Sequence, residues 1–130
     1  MVSDEQSFEN IYQSCFWCNN SVHMSNRGGS LFPHGGSGVI LHEQCVIGSN
    51  CRIQANVVIG GRNGLRGAPK IGDNVLIGAG AVLLGDINIG DHAQIGANAV
   101  VTHDIPAYTV AVGVPARVIK EMRPENIIVE

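Results

Sequence analysis

The chain has 130 residues, the size of one domain, and a formal net charge of −3. It carries no basic stripe, so nothing in the charge pattern points to nucleic acid or an anionic membrane as a partner. Seventeen glycines against six aromatic residues describe a backbone that turns often and packs small side chains.

Residues 1–10 are acidic and polar, without a charged-then-apolar leader, and no apolar run reaches the length of a membrane span. A cytoplasmic protein is expected. Residues 3–15 predict a short helix: Ser3 caps it, Gln6 completes a capping box, and Phe8, Ile11, Tyr12 and Cys15 fall at helical spacing. Residues 16–36 are irregular and Gly-rich, so 1–36 is read as an N-terminal helix plus an irregular segment. Cys15 and Cys18 have the spacing of a zinc knuckle or redox pair, but Cys45 and Cys51 do not supply the matching second pair. No metal is expected, and the thiols are read as reduced.

From Leu41 onward an aliphatic residue recurs every six positions: Leu41, Ile47, Ile53, Ile59, Ile71, Ile77, Leu83, Ile89, Ile95 and Val101, with Leu65 filling the gap in the series. Glycine follows many of them. Four positions after each comes a small or β-branched residue, among them Cys45, Cys51, Val57, Val75, Ala81 and Ala99. A period of six fits neither a helix nor a plain alternating strand. It fits a short strand and a tight turn, repeated, with the aliphatic and small positions on the inside of a coil. Stacked coils bury a core that no single repeat can bury alone. The expected fold is an all-β parallel β-helix of hexapeptide repeats over 37–122, with a tail at 123–130. Cys45 and Cys51 are interior fillers in this reading.

As in the hexapeptide-repeat families that this pattern resembles, three hexapeptides make one coil, and residues 18 apart share a face. Sorted that way, Val46, Gly64, Val82, Val100 and Val118 form one outer face, and Ile40, Val58, Leu76, Gln94 and Val112 a second. Arg52, Lys70, Asn88 and Pro106 form a third. Two faces are then apolar and one polar. Apolar outer surface marks an interface, and a heterologous contact that closes makes a ring. A homotrimer is expected. Residues 60–70 hold four glycines, two arginines and a proline, and predict a loop thrown out of the coil while keeping its count of six.

The stretches Phe32-Pro33-His34-Gly35, Val58-Ile59-Gly60-Gly61, Pro69-Lys70-Ile71-Gly72, Ile77-Gly78-Ala79-Gly80-Ala81, Ile95-Gly96-Ala97-Asn98-Ala99 and Gly113-Val114-Pro115-Ala116-Arg117 carry a family likeness. The run from Leu31 to Met122 resembles bacterial serine acetyltransferases and the O-acetyltransferases of exopolysaccharide synthesis, such as the colanic acid type. The resemblance implies a left-handed coil, acetyl-CoA as acetyl donor, a small-molecule hydroxyl as acceptor, and a site between neighbouring subunits. Serine acetyltransferases also carry a helical N-terminal domain that joins trimers into hexamers. It is absent here, and no such hexamer is expected.

Transfer to a hydroxyl needs a positioned base, and His34 falls where the catalytic histidine of serine acetyltransferases falls. His23, His42, His92 and His103 have weaker claims as base. Counting back from His34 puts Asn19 where the family has an orienting aspartate. For the cofactor, Ala79 and Ala97 match small wall positions, Thr102 and His103 the turn over the pantetheine, and Arg117 and Lys120 the phosphate-contacting cations. The family's acidic residue before the histidine and its Arg-His pair before Pro-Lys-Ile are replaced by Pro33, Gly67 and Ala68. A site without those charges binds serine poorly, so a sugar or exopolysaccharide precursor is the favoured acceptor, with Arg62 and Arg66 as its candidate contacts. Serine is the alternative. A γ-type carbonic anhydrase is disfavoured because no two histidines are five apart, and a non-catalytic β-helix would not require the Gly-Val-Pro-Ala-Arg terminus or His34.

Overall fold

The computed structural model describes residues 5–7, 23–24 and 29–122. Three parallel sheets wrap one core, and successive strands pass from sheet to sheet so that each sheet collects every third strand. The long face holds Leu31–Pro33, Arg52–Ile53, Leu76–Ile77, Gln94–Ile95 and Thr109–Val112. The aliphatic face holds Ile40–Leu41, Val58–Gly60, Val82–Leu84 and Val100–Val101. The polar face holds His23–Met24, Val46–Ile47, Lys70–Ile71 and Asn88–Ile89. Antiparallel strands finish the long face at both ends: Glu5–Ser7 against Leu31–Pro33, and Arg117–Glu121 against Thr109–Val112.

The six-residue period sets what lies inside. Ile53, Ile77 and Ile95 stack through the long face, Leu41, Ile59, Leu83 and Val101 through the aliphatic face, and Ile47, Ile71 and Ile89 through the polar face. All are buried, as are Cys45 and Cys51 in the small slots. Each such aliphatic side chain contributes about 1.5–3 kcal/mol of burial, which offsets the entropy of ordering a two-residue strand. Corners are made by left-handed residues in columns. Asn50, Asn74, His92 and Tyr108 precede the long-face strands, and Gly38, Asn56, Gly80 and Asn98 precede the aliphatic ones. Asparagine tolerates this conformation better than other side chains because its amide bonds locally. Among the described residues no helix is long and apolar enough to cross a membrane.

Two expectations are corrected. The helix over 3–15 lies mostly outside the described residues. The described part, Glu5–Ser7, is a strand, and Gln6 sits opposite Phe32 instead of in a first helical turn.

The face sorting also changes. Ile40 pairs with Val58 and Leu76 with Gln94, 18 residues apart, but Val46 pairs with Lys70, Arg52 with Leu76 and Val58 with Val82, 24 apart. The 60–70 loop therefore adds a whole hexapeptide that lies off the coil, and Leu65 is 60% exposed instead of interior. The outward residues regroup as Ile40, Val58, Val82 and Val100; Val46, Lys70 and Asn88; and Arg52, Leu76, Gln94 and Val110. One face is wholly apolar, not two.

Candidate active site

His34 opens a single 3-10 turn, His34–Gly36, directly after the strand Leu31–Pro33. Pro33 ends the strand with no N–H to donate, and buried Phe32 anchors it. His34, Gly35 and Gly36 then take φ of 59°, 71° and 69°, three left-handed residues in a row. A histidine there costs about 1–2 kcal/mol relative to glycine, so the turn holds its ring out at some expense. The ring is exposed and, among the described residues, has no hydrogen-bond partner. Asn19, the position counted for an orienting group, lies outside the described residues.

The candidate residues divide between two corners of the prism, one on each side of the aliphatic face. The corner entering that face carries His34, Ala79 and Ala97, in the turns before Ile40, Val82 and Val100. The corner leaving it carries Arg62, Arg66, Thr102 and His103, after Val58–Gly60 and Val100–Val101. Ala79 and Ala97 are exposed and stand on adjacent coils packed closely: a Cβ on Gly78 would lie 2.6 Å from the Ala97 nitrogen. Thr102 Oγ1 and His103 Nδ1 are 3.1 Å apart, which ties the ring to its neighbour.

Arg117 and Lys120 lie three apart and would point to opposite sides of a regular strand. A bulge between Val110 and Ala111 alters this, pairing Arg117 with Val112 and Lys120 with Val110. Val110 and Val112 alternate with buried Thr109 and Ala111 and face outward, so both cations stand on the outer side of the long face.

The 60–70 loop packs beside His42 and borders an open polar depression of about 610 Å³, lined by His42, Gln44, Gly61, Arg62, Asn63 and Arg66 among others. His42 sits at the start of the corner that the loop later extends, a relation visible in sequence only once the coil phase is known. The backbone N–H of Gln44 donates to His42 Nδ1 at 3.0 Å, so the neutral ring carries its proton on Nε2. A second concavity, about 730 Å³, runs over the long face and includes Leu31, Arg52, Leu76, Gln94 and His92. His92 stacks on Tyr108 with centroids 4.8 Å apart, and its Nδ1 is buried without a partner among the described residues. Burial pushes the Cys45 thiol up to about 12 and the Cys51 thiol up to about 11, so neither is a nucleophile. Among the described residues no three His, Cys, Asp or Glu side chains cluster as a metal site requires.

The family model for the bacterial transferase hexapeptide (six repeats) matches residues 68–103, and that for the hexapeptide repeat of succinyl-transferase matches 36–60. With the three-sided coil, these matches show hexapeptide repeats in a left-handed parallel β-helix fold. Within that fold it resembles the serine acetyltransferases. It is 41% identical over 96 residues to the Staphylococcus epidermidis enzyme, a match covering 72% of this chain and 45% of that one. The soybean serine acetyltransferase apoenzyme superposes with a TM-score of 0.71 at 46% identity, over 76% of this chain and 40% of that one. The Brucella abortus serine acetyltransferase in complex with coenzyme A gives 0.74 at 35% identity, over 79% and 41%. The chain thus spans less than half the length of these relatives.

Proposed function

We propose that the chain moves an acetyl group from acetyl-CoA to the hydroxyl of a small molecule, in a cleft that three copies build together. The observation that carries this reading is the split of candidate residues across the aliphatic face. If that face turns toward a threefold axis, the entering corner of one copy abuts the leaving corner of the next. His34 then stands across from the neighbour's loop 60–70 and from its Thr102 and His103.

His34 removes the acceptor proton as the oxygen attacks the thioester carbon, and backbone N–H groups of the glycine turn beside it are suited to the developing oxyanion. Ala79 and Ala97, small and exposed, leave the corner open enough for the pantetheine arm. Arg117 and Lys120, on one side of the terminal strand, suit its phosphates. The names of the relatives support serine as the acceptor over the sugar hydroxyl expected from the sequence.

Release of coenzyme A thiol, measured with L-serine and a panel of sugars, tests the reading. His34→Ala is expected to lower kcat by about 10²–10⁴-fold with the fold intact. Absence of turnover with every acceptor, or full turnover by His34→Ala, would refute it.

A further inference from the structure

We infer that the pocket beside the 60–70 loop is an anion subsite, and that the acceptor is a hydroxyl compound read by its carboxylate or phosphate and not by an amine. This rests on the transfer reading above and narrows its acceptor.

The pocket is built of donors. Arg62 and Arg66 line it with His42, Gln44 and Asn63, and no Asp or Glu does. Neither guanidinium has an ion-pair or hydrogen-bond partner among the described residues. The nearby carboxylate, Asp86, lies against Gly67 but is held by Lys70 at 2.9 Å, on the polar-face side of the corner. The donors are also positioned. The stem of Arg62 rests on Gly85, where an added Cβ would come within 2.9 Å of Arg62 Cδ. The Gln44 N–H fixes the His42 tautomer, and His42 Nε2, which carries the proton, faces Gly61 of the loop, 3.5 Å from where a Cβ would stand. Planar guanidinium forks and an N–H donor match the oxygens of a carboxylate or phosphate. An ammonium finds no lining carboxylate there. A carboxylate-bearing acceptor such as serine is therefore held by its acid end, and a hydroxy acid without the amine serves equally.

The test compares L-serine, D-glycerate, glycerol 3-phosphate, serinamide and glycerol as acceptors, with the wild-type chain and with Arg62→Ala/Arg66→Ala. The anionic acceptors are expected to exceed serinamide and glycerol in kcat/KM by at least about tenfold. The double variant should raise KM for the anionic acceptors about ten- to hundredfold, from loss of charge-assisted bonds, with KM for acetyl-CoA unmoved. Serine against glycerate decides whether the amine is read, and glycerate against glycerol 3-phosphate decides which anion fits. Equal use of neutral acceptors, strong preference for serine over glycerate, or an unchanged KM in the double variant overturns the inference and leaves acetyl transfer standing. A chain that turns over none of the five acceptors refutes the transfer reading instead. The pocket is then judged by titrating inorganic phosphate while the His42 ring resonances are observed. A saturable shift lost in the double variant supports the subsite, and no shift overturns it.

Discussion

Deleting residues 61–66 is expected to leave the β-helix standing and to abolish acceptor use. After the cut the chain runs Val58-Ile59-Gly60-Gly67-Ala68-Pro69-Lys70. That order superimposes on Val82-Leu83-Leu84-Gly85-Asp86-Ile87-Asn88 one coil above, strand for strand and corner for corner. The corner glycines already agree: Gly67 has φ of 98° and Gly85 of 94°. The six deleted residues are all exposed, so no core is lost. Shortening the connection from nine residues (61–69) to three lowers the loop-closure cost by about 1 kcal/mol, partly offset by loss of the Arg62 stem against Gly85. Thermal and urea unfolding should therefore show a midpoint unchanged or raised by a few °C. Thiol release from acetyl-CoA should fall about a hundredfold or more, because Arg62 and Arg66 leave together and His42 loses the loop beside it. A variant that fails to fold, or loses more than about 3 kcal/mol, would refute the view that the loop is a surplus hexapeptide on an otherwise regular coil.

Three further outcomes are expected. Val82→Glu puts a charge at the centre of the aliphatic face, and sedimentation should find dissociated chains without turnover while the monomer keeps its β signature. Gly78→Val drives a Cβ to 2.6 Å from the Ala97 backbone, and urea titration should report a loss of about 3 kcal/mol or more, with KM for acetyl-CoA raised in whatever folds. The two buried thiols make stability fall at alkaline pH. Unfolded cysteines ionise near 9.0, whereas folded Cys51 and Cys45 hold their protons to about 11 and about 12. Their contribution is thus whole below pH 9 and is lost as pH rises from there through about 11 for Cys51 and about 12 for Cys45. Cys45→Ala/Cys51→Ala should flatten that limb of the pH–stability curve, and at pH 8 neither thiol should react with a disulfide reagent until the chain unfolds.

Much of the fold was legible because burial follows a strict local period. The positions of Ile47, Ile53, Ile77, Leu83 and Ile95 repeat by sixes whatever the neighbouring coil does, since each strand is only two or three residues long. His34 stood out for the same local reason, a histidine between a proline and two glycines. Which residues share an outer face is a long-range property. It depends on which strands are hydrogen-bonded, and the loop that kept the count of six shifted that pairing from 18 to 24. Sorting by 18 therefore mixed Val46 with Val82 and hid the one continuous aliphatic face.

The sequence alone determined the coil, its interior and the loop's existence, because hydrophobic periodicity is written residue by residue. Only the tertiary structure decided the rest. Register across the insertion set the apolar face between the two candidate corners, and a bulge turned Arg117 and Lys120 to one side. The stacking of coils brought His42, three strands earlier in the chain, beside Arg62 and Arg66. Those placements come from backbone hydrogen bonds between distant segments, which no window of neighbouring residues contains.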